Sequence, residues 1–155
     1  MNKNEIIQAF LPFANTLNTH NITWAIGGSL LLALEGYETT IHDVDVLITL
    51  EDEPQLLHML ESMNYTLAIP HNLFATKTLY KLHYNNIELD LIIEFAIHTP
   101  NGIYKFPFTK DTIMSSRKIN ETTLYLSSIT EWKKAYTAMN RLEKMKLLNT
   151  TPTKN

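Results

Sequence analysis

Asp90 stands amid large aliphatics, Ile87-Glu88-Leu89-Asp90-Leu91-Ile92-Ile93, within Ile87 to Phe95, the most strongly strand-like run in this chain of 155 residues. Aspartate is among the poorest strand formers. A carboxylate at the heart of a buried strand costs several kcal/mol unless it is paired or metal-bound. The run therefore requires a sheet that supplies a counter-charge at this position. Glu88 projects the same way, as a spare carboxylate or a solvated neighbour.

Two earlier segments bear on that requirement. Asp43-Val44-Asp45 opens a strand over 43–49, with Val46, Leu47 and Ile48 behind it. Residues i and i+2 of a strand share a face, so the two carboxylates project together. Like charges that close stay ionised only with something positive between them. A hard divalent cation answers that need, and magnesium takes one or two carboxylates plus substrate phosphates. The competing reading is two surface aspartates on a solvated face. Gly27-Gly28-Ser29 lies between a short strand, 22–26, and a helix carrying Leu30 to Glu35. Glycine lets backbone N–H groups approach a phosphate, and a helix start adds partial positive charge. The competing reading is a plain tight turn with Ser29 as N-cap. Neither a Walker loop nor a dinucleotide fingerprint is present. Three carboxylates from Asp43, Asp45 and Asp90, if they share a sheet face, are what a two-metal phosphoryl-transfer site requires.

Periodicity predicts the remaining elements. Ile6, Ile7, Phe10, Leu11, Phe13, Ala14 and Leu17 mark an amphipathic helix over 4–18, kinked or broken at Pro12. Gly36 is placed as a helix C-cap. Glu51, Asp52 and Glu53 open a helix, and strands follow over 65–69 and 77–84. Asn85-Asn86 is the turn into the Ile87–Phe95 strand. From Pro100 to Asn120 periodicity fails, and Thr123 to Leu126 reads as a last strand. Ser128 or Thr130 caps a closing helix, with Glu131 placed for a capping box. That helix carries Trp132, Ala135, Tyr136, Met139, Leu142 and Met145 on one face. The order predicts an α/β (α+β) single domain over 1–150, a mixed sheet flanked by helices with an extra C-terminal helix. Residues 151–155 read as a frayed tail.

Composition excludes several classes. There is no Cys, which removes disulfide frameworks and thiolate metal sites. The net charge of −3 and pI of about 6.0 argue against a broad nucleic-acid footprint. No stretch reaches the roughly 20 apolar residues of a membrane helix. Met1 to Glu5 lacks signal-peptide character, so the expected address is the cytoplasm. Asn21-Ile22-Thr23 and Asn120-Glu121-Thr122 are then chance sequons. His20, His42, His58, His71, His83 and His98 are scattered without metal spacing, although His42 precedes the aspartate pair. Trp24 and Trp132 read as packing residues. Tyr104, Phe106 and Phe108 border an acceptor pocket or form an edge hairpin. Lys133, Lys134, Arg141, Lys144 and Lys146 give the last helix a basic face, read as solvated.

Gly-Gly-Ser, Asp-x-Asp on the next strand and a lone Asp in a later apolar strand together resemble the DNA-polymerase-β-type nucleotidyltransferase superfamily. Trp24 to Ser29 and Asp43 to Val46 are similar to the small lincosamide and aminoglycoside nucleotidyltransferases. They are also similar to nucleotidyltransferase-type components of toxin–antitoxin and abortive-infection systems. The resemblance covers residues 22–95 and, more loosely, Tyr125 to Arg141. It implies a nucleotidyltransferase fold in which Asp43, Asp45 and Asp90 hold two Mg2+ ions. Gly27, Gly28 and Ser29 would bind a nucleoside triphosphate. A nucleoside monophosphate would pass to a hydroxyl of a small molecule, an RNA end or a protein. Many relatives carry an Arg between the glycine turn and the aspartates, whereas residues 30–42 here contain no Lys or Arg. Lys77, Lys81, Lys105, Arg117, Lys118 and Lys133 are the candidates to replace it. The alternative expectation is a catalytically silent, antitoxin-like module that acts through a protein partner.

Overall fold

The computed structural model describes residues 1–153. Seven strands form one mixed sheet: β1 (Trp24–Gly27), β2 (Asp43–Ile48), β3 (Tyr65–Ala68), β4 (Thr78–Tyr84), β5 (Ile87–Ile93), β8 (Ser115–Ile119) and β9 (Thr122–Leu126). Their spatial order is β3-β4-β5-β2-β1-β9-β8. β2 and β5 run parallel, as do β1 and β9, and the other neighbours are antiparallel. A separate hairpin joins β6 (Ala96–Thr99) to β7 (Gly102–Lys105).

Helices cover both faces. α1 (Lys3–Thr19) and α3 (Glu53–Leu60) lie on the face formed by Val44, Val46, Leu89, Leu91, Tyr80 and Leu82. Phe10 and Phe13 of α1 stack edge-on against Trp24 and Tyr84 there. α2 (Gly28–Leu34), α4 (Ile129–Ala138) and α5 (Leu142–Leu148) lie toward the opposite face, which carries the polar residues.

The break expected at Pro12 is absent: α1 runs unbroken for 17 residues. Pro12 is exposed, so the missing N–H falls on the solvent side while the buried stripe holds both halves on the sheet. Asn2 and Glu5 close a capping box at its start. Asn85 and Asn86 take φ of 47° and 66°, which a two-residue hairpin turn requires. The expected single closing helix is two helices, α4 and α5. Asn140, at φ 56°, turns the chain between them. Ser128 caps α4 by accepting from the Glu131 N–H, but the Glu131 carboxylate bonds the Tyr104 hydroxyl at 2.9 Å instead of completing the box. The aperiodic stretch after Pro100 contains β7 and β8.

Within the tail expected to fray, the Thr153 N–H donates to the Gly36 carbonyl at 2.9 Å. Gly36 has φ +96° and leaves no room for a Cβ against Thr153. Lys154 and Asn155, also in the expected tail, lie outside the described residues. No helix among the described residues is long and apolar enough to cross a membrane.

Candidate active site

The site is built across strands. Register sets Gly27 opposite Asp45, Asp45 opposite Asp90, and Asp90 opposite Lys81. Four strands thus present one polar row on one face, since partners in register point the same way. A parallel row on one side reads Asp43–Glu88–His83, and on the other Leu47–Ile92–Leu79. Asp43, Asp45, Asp90 and Ser29 all line one cavity of about 280 Å³. The three aspartates picked from sequence, far apart in the chain, therefore open on a common space.

Glycine geometry explains how close the row packs. Gly28 has φ +58°, and a Cβ there would run into the Asp45 carboxylate. A Cβ on Gly27 would run into the Trp132 ring. The room left by the two missing side chains is taken by Asp45 and Trp132. Ser29, expected as an N-cap in the plainer reading, is inside α2, whose N-cap is Gly27. Trp132 is fixed in turn: its Nε1–H donates to the Ser127 hydroxyl at 2.9 Å, and that hydroxyl donates to the Ile26 carbonyl at 2.7 Å.

Electrostatics mark Asp45 as the unsettled member. Burial, then the charge of Asp90, then that of Asp43, push its carboxyl up to about 7. Among the described residues no donor bonds this carboxylate. Asp90 is also raised, chiefly by burial, against the pull of Lys81, whose Nζ donates to Oδ1 at 2.8 Å. The Lys81 ammonium is held above its usual range: burial lowers it, but the Asp90 bond outweighs that. Among the described residues no three His, Asp or Glu side chains gather tightly enough to hold one ion. The donor chemistry nevertheless fits a hard cation: oxygen ligands only, with the partly buried Asp45 carboxylate crowded by those of Asp90 and Asp43.

The cations the sequence lacked between Ser29 and Asp43 come from the C-terminal helices. Lys144 of α5 donates from Nζ to Ser29 Oγ at 3.1 Å and to Thr39 Oγ1 at 2.9 Å. Burial, and next the Arg141 charge, lower its ammonium below the usual range. Arg141 and Lys144 both line the cavity with the aspartates, and one guanidinium nitrogen of Arg141 pairs with Glu143 at 2.9 Å. Neither was among the six cations singled out from sequence; both were read as part of a solvated face. Of those six, Lys81 reaches the site, while Lys77 pairs with Glu53 at 2.9 Å and Arg117 with Glu35 at 3.3 Å. Lys118 pairs with Glu121 at 3.4 Å, and Lys105 and Lys133 line other cavities. Glu88 is held by His83 at 2.6 Å, and His42 lines the main cavity. Trp24 is fully buried; Trp132 is buried and also lines the cavity. Tyr104 anchors to Glu131, and Phe106 packs on Trp132 with ring centroids 5.1 Å apart.

Comparison with known proteins gives consistent findings. The family of aminoglycoside-2''-adenylyltransferase matches residues 10–145. No match is found among curated proteins. A protein from Thermotoga maritima, provisionally described as a nucleotidyltransferase, shares the fold with a TM-score of 0.72 at 17% identity, over 96% of this chain and 92% of that one. ANT(2")-Ia, in complex with adenylyl-2"-tobramycin, aligns with a TM-score of 0.55 at 13% identity, over 92% of this chain and 84% of that one. The lincosamide antibiotic adenylyltransferase LnuA, bound to lincomycin, aligns with a TM-score of 0.54 at 15% identity, over 93% of this chain and 97% of that one.

Proposed function

The chain belongs to the aminoglycoside-2''-adenylyltransferase family, and from that premise we propose that it transfers a nucleoside monophosphate from a nucleoside triphosphate to a hydroxyl acceptor. The carrying observation is the register that sets Asp45 beside Asp90 in the cavity that Ser29, Arg141 and Lys144 also line. Asp43, Asp45 and Asp90 would hold magnesium, which when bound supplies charge neutralisation for the triphosphate and its leaving group.

The chain's own residues do the rest. Lys144 and Arg141 bind the triphosphate through charge-assisted hydrogen bonds, and the Ser29 hydroxyl lies beside Lys144 to share in this. The bond between Lys81 and Oδ1 leaves Oδ2 of Asp90 to accept the acceptor's hydroxyl proton. The acceptor oxygen bonds the α-phosphorus, the bond from that phosphorus to the β-phosphate oxygen breaks, and pyrophosphate leaves. Trp132 and Tyr136 line the cavity and fill space that water, a rival acceptor, would otherwise take.

Calorimetry with ATP, GTP, CTP and UTP in magnesium tests this. Heat is expected with at least one nucleotide and is lost in Asp45→Asn; silence from the native protein with all four sinks the proposal. The Lys81–Asp90 ion pair, which gives Asp90 a counter-charge without any metal, favours a second reading, a silent module working through a protein partner. Unchanged biological function after Asp90→Asn would decide for that reading.

A further inference from the structure

We infer that Ser127, which does not line the cavity, is a positioning residue for the nucleotide site and acts through Trp132; this rests on the nucleotidyltransferase reading above. Ser127 is buried in the connection from β9 to α4. Its own N–H already donates to the Ile26 carbonyl at 3.1 Å, so the hydroxyl is not needed to satisfy that group. The hydroxyl donates to the same carbonyl at 2.7 Å and accepts the Trp132 Nε1–H at 2.9 Å. Its distinct task is to hold the indole, since a buried indole N–H needs an acceptor.

The indole so held occupies a place in the polar row. Gly27 is the row's member on β1, in register with Asp45, and the Trp132 ring takes the space of its missing side chain. The ring thus stands on the β1 side of Asp45, as Asp90 stands on the β5 side. Two points fix it to the end of β1: the contact at Gly27 and, through Ser127, the carbonyl of Ile26. The next residue, Gly28, lies against the Asp45 carboxylate, and the Ser29 hydroxyl after it accepts from Lys144. Phe95, Phe106 and Tyr136 pack around the indole with ring centroids 5.3, 5.1 and 5.5 Å away. Such contacts fill space without fixing direction, whereas a hydrogen bond is directional. Without the bond to Ser127 the indole can slide from Gly27, and the turn loses the wall that presses Gly28 on Asp45 and aims Ser29. Binding groups need support to within about half an ångström, so loosening this wall costs affinity.

Calorimetry with magnesium and the nucleotide that the native protein binds tests this, at a temperature where urea unfolding shows each variant folded. Ser127→Ala is expected to weaken binding about fivefold or more, although the side chain lies outside the cavity. Trp132→Phe, which removes the Nε1–H, should weaken it too, and Ser127→Ala added to Trp132→Phe should change nothing further. Ser127→Cys keeps a weak sulfur acceptor. It should fall between the native protein and Ser127→Ala, and it carries the test where the alanine variant does not fold. Acrylamide quenching of tryptophan emission should rise in Ser127→Ala and fall again with magnesium and nucleotide, since Trp24 is fully buried and Trp132 borders the cavity. Native affinity in folded Ser127→Ala overturns the inference. So does weaker binding with unchanged quenching, or a loss that persists undiminished on the Trp132→Phe background. Absence of nucleotide binding by the native protein removes the reading beneath it as well.

Discussion

Replacing Asp45 with Asn should make the metal-free protein more stable. The carboxyl is raised from 3.8 to about 7 by burial and by its two neighbouring aspartates. The folded state therefore holds a proton that the unfolded chain releases between those values, and folding loses stability as the pH climbs through that window. Above both values the cost is about 4 kcal/mol, at about 1.4 kcal/mol for each pH unit of displacement. Asparagine keeps the shape and removes the charge. The variant should gain under about 1 kcal/mol near pH 4 and about 4 kcal/mol near pH 8, the latter near 10 °C in Tm for a chain of this size. Urea unfolding of both proteins in chelator at the two pH values reads the difference directly. Magnesium with nucleotide should then raise the stability of the native protein and leave the variant where it was. A variant less stable than the native protein at pH 8, or a gain that does not change with pH, would refute the electrostatic account of this site.

Three further outcomes are expected. Lys144→Met should weaken nucleoside triphosphate binding at least tenfold by calorimetry, because it removes the ammonium beside Ser29; unchanged affinity would place the phosphates elsewhere. Gly28→Ala should cost about 2 kcal/mol or more in denaturant unfolding, since φ +58° and the Asp45 carboxylate both exclude a Cβ; a change under about 0.5 kcal/mol contradicts that packing. Glu53 is raised by burial, but bonds from Tyr80 and Lys77 outweigh this and hold it below its ordinary 4.5. The stability it contributes is present above that value and lost as pH falls through the depressed one, so Glu53→Gln should flatten the acid limb of the stability curve.

The aspartates were legible because each breaks a local rule. An acid in an aliphatic strand, or two acids one residue apart on one face, has no packing reason to be there. What no single strand discloses is pairing: the placement of Asp45 beside Asp90 depends on the parallel β2–β5 register, a long-range choice. Arg141 and Lys144 were missed for a different reason. One continuous helix puts them on a solvated face, whereas the turn at Asn140 redirects α5 so that Lys144 reaches Ser29. Asparagine at that position, tolerant of positive φ after a helix, was the available signal. Pro12 misled in the opposite sense, because its local cost is offset by the buried side of α1. The strands after Pro100 are short, four residues in β7 and five in β8, too few for alternation to show.

Because the polar row runs across strands, the two halves of the site have unequal freedom to diverge. β1, β2 and β5 lie inside the sheet, paired on both sides, and any insertion there would shift the register that sets Asp45 beside Asp90. β4 lies one strand from the free edge, and Pro70, Phe74 and Thr76 come from the connection that joins β3 to it. That border can lengthen, shorten or be rewritten without disturbing the interior strands. A lineage built on this plan would change what it modifies much more readily than how it modifies it.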